Sequence, residues 1–275
     1  MILAQAMTLS ESSRSKGIRT EGLTKDFGSL RAVDGLDLQI NPGELFCFLG
    51  PNGAGKTTTI KMIIGTLVPT RGRVFLDGID VYKEPVRAKQ ILGYVPDEPN
   101  LYEKLTPLEF LSFVSDVYRL DKSRASRRAR ELLEMFGLSD RINEQMGGFS
   151  HGMKQKMALT AALLHEPQIL LLDEPTVGLD PKSARIIKDI LRGLCDRGVT
   201  VFMSTHILEI AERMADRVGI IQDGRLRAIG AVDELRSLAK KSDEKLHGTE
   251  MTLEDLFLEL TGGAEYEEVS RYLEG

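Results

Sequence analysis

The sequence predicts an α/β fold with a mostly parallel core sheet. Three apolar runs carry this reading: Leu45–Leu49, Ile169–Leu172 and Val199–Met203. Each is continuous rather than alternating, as strands buried on both faces are. Each is also followed by residues suited to phosphate or metal chemistry, and open α/β sheets bind ligands at the carboxyl ends of their strands. Between residues 101 and 164 the pattern turns helical, which adds a helical subdomain to the sheet.

Composition bounds the function classes. The chain has 275 residues, enough for one large domain or a domain with a small subdomain. With 36 Lys and Arg against 41 Asp and Glu, the net charge is -5, which argues against a dedicated nucleic-acid binder. No stretch reaches the ~18–20 consecutive apolar residues of a membrane span. Residues 1–16 lack a basic start and a long apolar run, so they read as a flexible polar tail rather than a signal peptide. Cys47 reads as a buried thiol and Cys195 lies near a helix end. Two such cysteines make no disulfide framework, and the chain reads as cytosolic.

Along the chain, Gly50-Pro51-Asn52-Gly53-Ala54-Gly55-Lys56-Thr57 fits G-x-x-x-x-G-K-[ST] without deviation. It follows the run Leu45–Leu49 and precedes Ile60, Ile63, Ile64 and Leu67 at helical spacing. The glycines let backbone N–H groups curl inward around phosphate oxygens. Lys56 supplies charge to β- and γ-phosphates, and the Thr57 hydroxyl is a Mg²⁺ ligand. Gly50, Asn52, Gly53, Ala54, Gly55, Lys56, Thr57 and Thr58 are the candidate phosphate-binding residues. Asp77-Gly78 and Asp223-Gly224 each predict a tight hairpin.

The helical region opens tidily. Thr106 predicts an N-cap, Pro107 the first helical position and Glu109 the third, with Leu105 and Phe110 as a hydrophobic staple. A second helix runs through SRASRRARELLEMFGL to Gly137, and its arginines at 124, 127, 128 and 130 read as a solvated face. At GGFSHGMKQKMAL, from Gly147 to Leu159, glycines and Ser150 lead into another helix, a second place where an N-terminus faces an anion.

The remaining chemistry follows the later strands. Asp173 and Glu174 end the run Ile169–Leu172; Asp173 suits Mg²⁺, and Glu174 suits orienting or deprotonating water. His206 follows Val199–Met203 and is placed to donate to a γ-phosphate oxygen. Asp180-Pro181 predicts a helix cap. Near the end, Leu253, Leu256, Phe257 and Leu260 form a stripe that reads as docking on its own domain, with Thr252 and Asp255 as a capping box.

Together these residues resemble the ATP-binding subunits of ABC transporters, from about Ile18 to Leu260. The resemblance implies a P-loop NTPase fold of ABC type, with an N-terminal antiparallel β-region before the mostly parallel core sheet. It divides the chain into an ATP-binding domain at 17–235, a helical subdomain within it at about 97–165, and a C-terminal helical extension at 236–275. It implies ATP and Mg²⁺ as cofactors, Phe27 as the adenine-stacking aromatic, and Asp180 in the GLDP loop as nucleotide-binding. FSHGM occupies the family's signature, usually written LSGGQ: Ser150 and Gly152 match, while Phe149, His151 and Met153 depart. The signature of one protomer covers ATP held by the other, so a homodimer or heterodimer is implied. Asp97 stands where the family has Gln, and is expected to remain a metal-side ligand.

The resemblance further implies a separate membrane-spanning subunit docking in a groove lined by Asp97 to Tyr102, at the cytoplasmic face of the cell membrane. The ending is most like exporter-type subunits. No nucleic-acid partner is expected. The alternatives are a soluble ABC-type ATPase acting on DNA or ribosomes, and a nucleotide-gated subunit with little hydrolysis. The first lacks its usual insertions; the intact Glu174 speaks against the second.

Overall fold

The computed structural model describes residues 16–235 and Phe257. Ten strands alternate with seven helices across these residues. β1 (Ile18–Phe27), β2 (Leu30–Ile40), β4 (Arg71–Leu76) and β5 (Ile79–Asp80) make an antiparallel sheet in the order β2-β1-β4-β5. β3 (Leu45–Leu49), β6 (Leu92–Val95), β7 (Ile169–Asp173), β8 (Thr200–Thr205), β9 (Arg217–Gln222) and β10 (Arg225–Gly230) make the core sheet, in the order β10-β9-β3-β8-β7-β6. It is parallel except for the edge strand β10. The expected fold class, with its antiparallel β-region, is the observed one.

The core strands feed two hydrophobic clusters by alternation. Leu45, Cys47 and Leu49 face one cluster, while Phe46 and Phe48 face the other. β7 and β8 divide in the same way. Because both faces are covered, the sequence runs are continuously apolar although each strand keeps its period of two. Phe46, Phe48 and Phe202 meet at centroid distances of 5.4–6.4 Å beneath the antiparallel sheet. The Cys47 thiol is free and fully buried, which pushes its ionisation up. Burial likewise raises the Cys195 thiol to about 11 at the end of α6 (Pro181–Cys195).

Helices α3 (Pro107–Val117), α4 (Lys122–Met135) and α5 (His151–Leu164) form the helical subdomain on the other cluster. The capping box on α3 is present: Glu109 N–H donates to Thr106 Oγ1 at 3.3 Å, and Thr106 N–H donates to Glu109 Oε2 at 2.8 Å. Leu105 and Phe110 both pack on the same cluster. Gly137, at φ 67, ends α4 with its own N–H bonded to Glu134 O and the next N–H, of Leu138, bonded to Leu133 O. The arginine face is only partly solvated. Arg124 and Arg128 both pair with Glu166, and Arg128 also donates to Leu163 O, which ties α4 to the end of α5.

Both expected hairpin turns occur, with positive φ at Asp77, Gly78, Asp223 and Gly224. Phe257 packs half-buried against the larger cluster. The rest of the expected C-terminal stripe, its capping box at Thr252 and Asp255, and the tail up to residue 15 lie outside the described residues.

Candidate active site

β3 ends at Leu49, and α1 (Lys56–Ile63) begins after a loop held on three sides by backbone. A Cβ at Gly50 would lie 2.5 Å from Ile221 O, and one at Gly55 would lie 2.6 Å from Ala32 O. Gly55 also sits at φ 107, which side chains disfavour. Gly224 N–H donates to Ala54 O at 3.0 Å, and Asp34 N–H donates to Gly224 O at 2.9 Å. The loop is thus sewn to β2 and to the β9–β10 hairpin. No side chain caps α1, and its first turn holds no acidic residue. The N–H groups of Lys56, Thr57 and Thr58 have no intrahelical partner by helix geometry, which leaves them and the positive dipole end for an anion.

Lys56 is buried, and its Nζ donates to Gly50 O at 2.7 Å and to Pro51 O at 3.2 Å. The same Nζ lies 3.5 Å from Glu174 Oε1. Glu174 follows β7 at φ 48, a left-handed conformation that costs a non-glycine residue on the order of 1 kcal/mol or more. That turn places its carboxylate between Lys56 and His206, whose Nδ1 is 2.9 Å from Oε1. With Nδ1 on Glu174 the ring is held in one orientation, and Nε2 lies at its opposite edge.

Asp173, 2% exposed, ends β7 directly opposite Ser204 of β8. Ser204 Oγ donates to Asp173 Oδ1 at 2.5 Å and accepts from Glu174 N–H at 3.1 Å. Ser204 therefore fixes both carboxylate residues and leaves Asp173 Oδ2 for other partners. The sequence reading passed over it. Its signal was a hydroxyl at the strand end, on the strand that pairs with Asp173.

Asp97 follows β6 and belongs to the same charged neighbourhood. Burial and the charges of Asp173, Glu174 and Glu98 push its carboxyl up, while His151 pulls it down. Thr57 is exposed at the start of α1. Among the described residues no group of three or more His, Cys, Asp and Glu side chains forms a metal cage. Mg²⁺ needs none, since it is held through one or two carboxylates with substrate phosphates and water. The hard oxygens of Thr57, Asp173 and Asp97 fit that pattern.

Phe27, 48% exposed, ends β1 with the Lys25 Nζ 5.2 Å from its ring centroid. Ser150 caps α5 from outside the cradle, accepting from Met153 N–H at 3.4 Å. Asp180 caps α6, accepting from Ser183 N–H at 2.9 Å and Ser183 Oγ at 2.5 Å, and these bonds hold its carboxyl below the usual range. The two caps are neighbours. A Cβ at Gly152 would lie 3.3 Å from Leu179 Cδ2, and one at Gly178 would lie 3.0 Å from the His151 ring.

Fold and cradle together define a P-loop nucleotide-binding protein whose strand-end carboxylates face the phosphate site. The ABC transporter family model matches residues 33–177. Over 220 residues the chain is 41% identical to the linearmycin resistance ATP-binding protein LnrL of Bacillus subtilis (strain 168), covering 80% of this chain and 71% of LnrL. Among further curated relatives the matched share falls as low as 41% of their length. A solved ATP-binding subunit of an ABC transporter superposes with a TM-score of 0.82 at 33% identity, covering 89% of this chain and 99% of that one. A dimeric cassette in a post-hydrolysis state with ADP and phosphate gives 0.71 at 29% identity, covering 78% and 98%. The chain belongs to the ATP-binding subunits of ABC transporters. It is an ATPase of that family.

Proposed function

We propose that this chain drives an exporter from the cytoplasmic face of the membrane, as one of a head-to-tail pair docked on a separate membrane-spanning subunit. One observation carries the catalytic part: Glu174 is held between Lys56 and His206, beside the open N-terminus of α1. In this reading the loop Gly50–Thr58 takes the phosphates and Phe27 stacks on the base. Thr57, Asp173 and Asp97 hold Mg²⁺, which offsets phosphate charge when bound. Glu174 orients the attacking water and accepts its proton at a carboxylate oxygen. Lys56 and His206 donate to the γ-phosphate. Ser150 and Gly152 of the opposite protomer complete the site, and Asp180 lies at the junction between protomers.

Docking on a membrane subunit is supported by an apolar groove of about 370 Å³ between sheet and helices, lined by residues including Leu92, Tyr94, Leu101, Phe110 and Val114. Tyr102, Phe113 and Val117 stand exposed in the loop before α3 and on α3 itself. Among the described residues no helix is long and apolar enough to cross a membrane, and in this reading the span belongs to a separate subunit. LnrL is named for resistance to linearmycin, which supports drug export as the coupled task. The soluble DNA- or ribosome-acting alternative has no observation of its own in its favour.

Tagged Glu174→Gln protein, purified from detergent-solubilised membranes of its host, tests the whole reading. The expected result is a stoichiometric polytopic membrane protein and ATPase activity lost relative to the native chain. Recovery with ribosomes or DNA, and no membrane partner, would overturn it.

A further inference from the structure

Phe27 has an uncommon seat for an aromatic ring. It ends β1 opposite Leu30 of β2, beside Gly28 at φ 60. Among the described residues it joins neither hydrophobic cluster, so the core that fixes Phe46, Phe48 and Phe202 does not hold it. Its ring contact is instead Lys25, whose Nζ stands over the ring. A cation is drawn to the face of an aromatic ring by the ring quadrupole, weakly where water reaches both.

Lys25 is itself anchored. Its Nζ donates to Val68 O at 2.7 Å, in the loop that follows α1. Among the described residues no carboxylate pairs with it, since the adjacent Asp26 is engaged by Arg31 at 2.8 Å. The loop is fastened at both ends. Thr66 and Leu67 N–H each donate to Lys61 O at 3.0 Å, which ties it to α1. Thr70 N–H donates to Thr24 O at 2.8 Å, and Asp26 N–H donates to Thr70 Oγ1 at 2.9 Å, which ties it to β1. A short path of backbone and hydrogen bonds therefore runs from the helix that starts at the phosphate cradle to the ring at the end of β1.

We propose that Lys25 is a positioning residue for the nucleotide base. Its ammonium, fixed on Val68 O, holds the Phe27 ring by one face and leaves the other face to the base. The distance between the base seat and the cradle is then set by α1 and its following loop rather than by a freely turning ring. Lys25 touches neither phosphate nor metal in this scheme, so it acts on affinity for the base and not on the chemical step. The proposal rests on the reading of Phe27 as the base-stacking residue.

Calorimetric titration of the purified full chain tests it, with two probes in the presence of Mg²⁺: ATP, and inorganic tripolyphosphate, which offers phosphates without a base. Lys25→Met keeps the apolar stem and removes the charge. It is expected to weaken ATP about five-fold and to leave tripolyphosphate within about two-fold of native, while Lys25→Arg restores ATP to within about two-fold. Phe27→Ala is expected to weaken ATP about ten-fold, and adding Lys25→Met to it should weaken ATP no further, because the two residues act as one unit. Unchanged or tighter ATP binding by Lys25→Met, an equal loss for tripolyphosphate, or a double variant at the product of the two losses would overturn the role of Lys25. Thermal denaturation reports folding, and Lys25→Gln takes the place of Lys25→Met where that variant does not fold. Phe27→Ala with native ATP affinity would overturn base stacking and the proposal with it. Phe27→Ala weakened beside an unaffected Lys25→Met overturns the proposal alone.

Discussion

Helices α1 and α5 both begin at glycine-flanked turns, yet their first turns are finished differently. At α1 the N-cap is Gly55, without a side chain, and the loop before it is held by the backbone of β2 and the β9–β10 hairpin. Its donors stay open, and Lys56 is buried beside them. At α5 the N-cap is Ser150, which satisfies one of the helix's own donors through a long 3.4 Å bond. Ser150 and His151 are exposed, and the nearest lysine, Lys154, is engaged by Glu103. The first site is formed within one chain. The second lacks a buried cation and has spent part of its own capacity, so it gains an anion only when another surface supplies one.

The comparison breaks first at the α1 side. Glu174→Gln keeps the shape and removes the base, and should lower kcat by about 10²–10⁴-fold while ATP binding persists. Gly55→Ala should remove binding itself, since it forces a Cβ to 2.6 Å from Ala32 O at φ 107. Calorimetric titration with ATP is expected to show affinity lower by about a hundred-fold or more, combining strain with lost donors. Retained affinity would mean that the cradle is soft, and the contrast with α5 would fall.

Much of this contrast was legible before any coordinates. The G-x-x-x-x-G-K-[ST] spacing marks a backbone cradle because glycine and lysine have few other reasons to recur in that order, and the apolar runs mark strands covered on both faces. The α3 capping box was readable because Thr106 and Glu109 act within four residues. Ser204 was not readable, since its role comes from pairing β7 with β8 across 31 residues. The arginines of α4 were misjudged in part, because their partner Glu166 lies beyond α5.

The α5 side should respond more gently. Ser150→Ala removes an N-cap and is expected to cost about 1 kcal/mol of stability, read as a lower denaturation midpoint. Its effect on turnover should depend on protein concentration. Where protomers are dilute the rate should fall several-fold, and where they are concentrated less, because the change weakens only the covering surface. ATP affinity of the isolated chain should stay within about two-fold of native. A Ser150→Ala protein that loses ATP binding as Gly55→Ala does would erase the distinction between the two helix starts.

The smallest effect concerns the other end of α5, where His165 is the C-cap. Its Nε2 bonds Leu92 O at 3.1 Å, and its ring stacks on Tyr118 at 3.8 Å between centroids. Burial holds its ionisation below the ordinary value, with Arg128 adding to the shift and the Leu92 bond opposing it. The usual benefit of a cation at a helix C-terminus is thus outweighed by loss of water. Because the folded ring takes up its proton later than the unfolded one, its contribution to stability is complete above about pH 6.5 and is lost as pH falls through the lower folded value. Urea denaturation at about pH 7.5 and 5.5 should therefore show a steeper decline for the native chain than for His165→Gln, whose amide can keep the bond to Leu92 O. Carboxylates elsewhere titrate equally in both proteins, so the difference isolates this ring. Parallel declines would mean that α5 is anchored at its C-terminal end by packing alone.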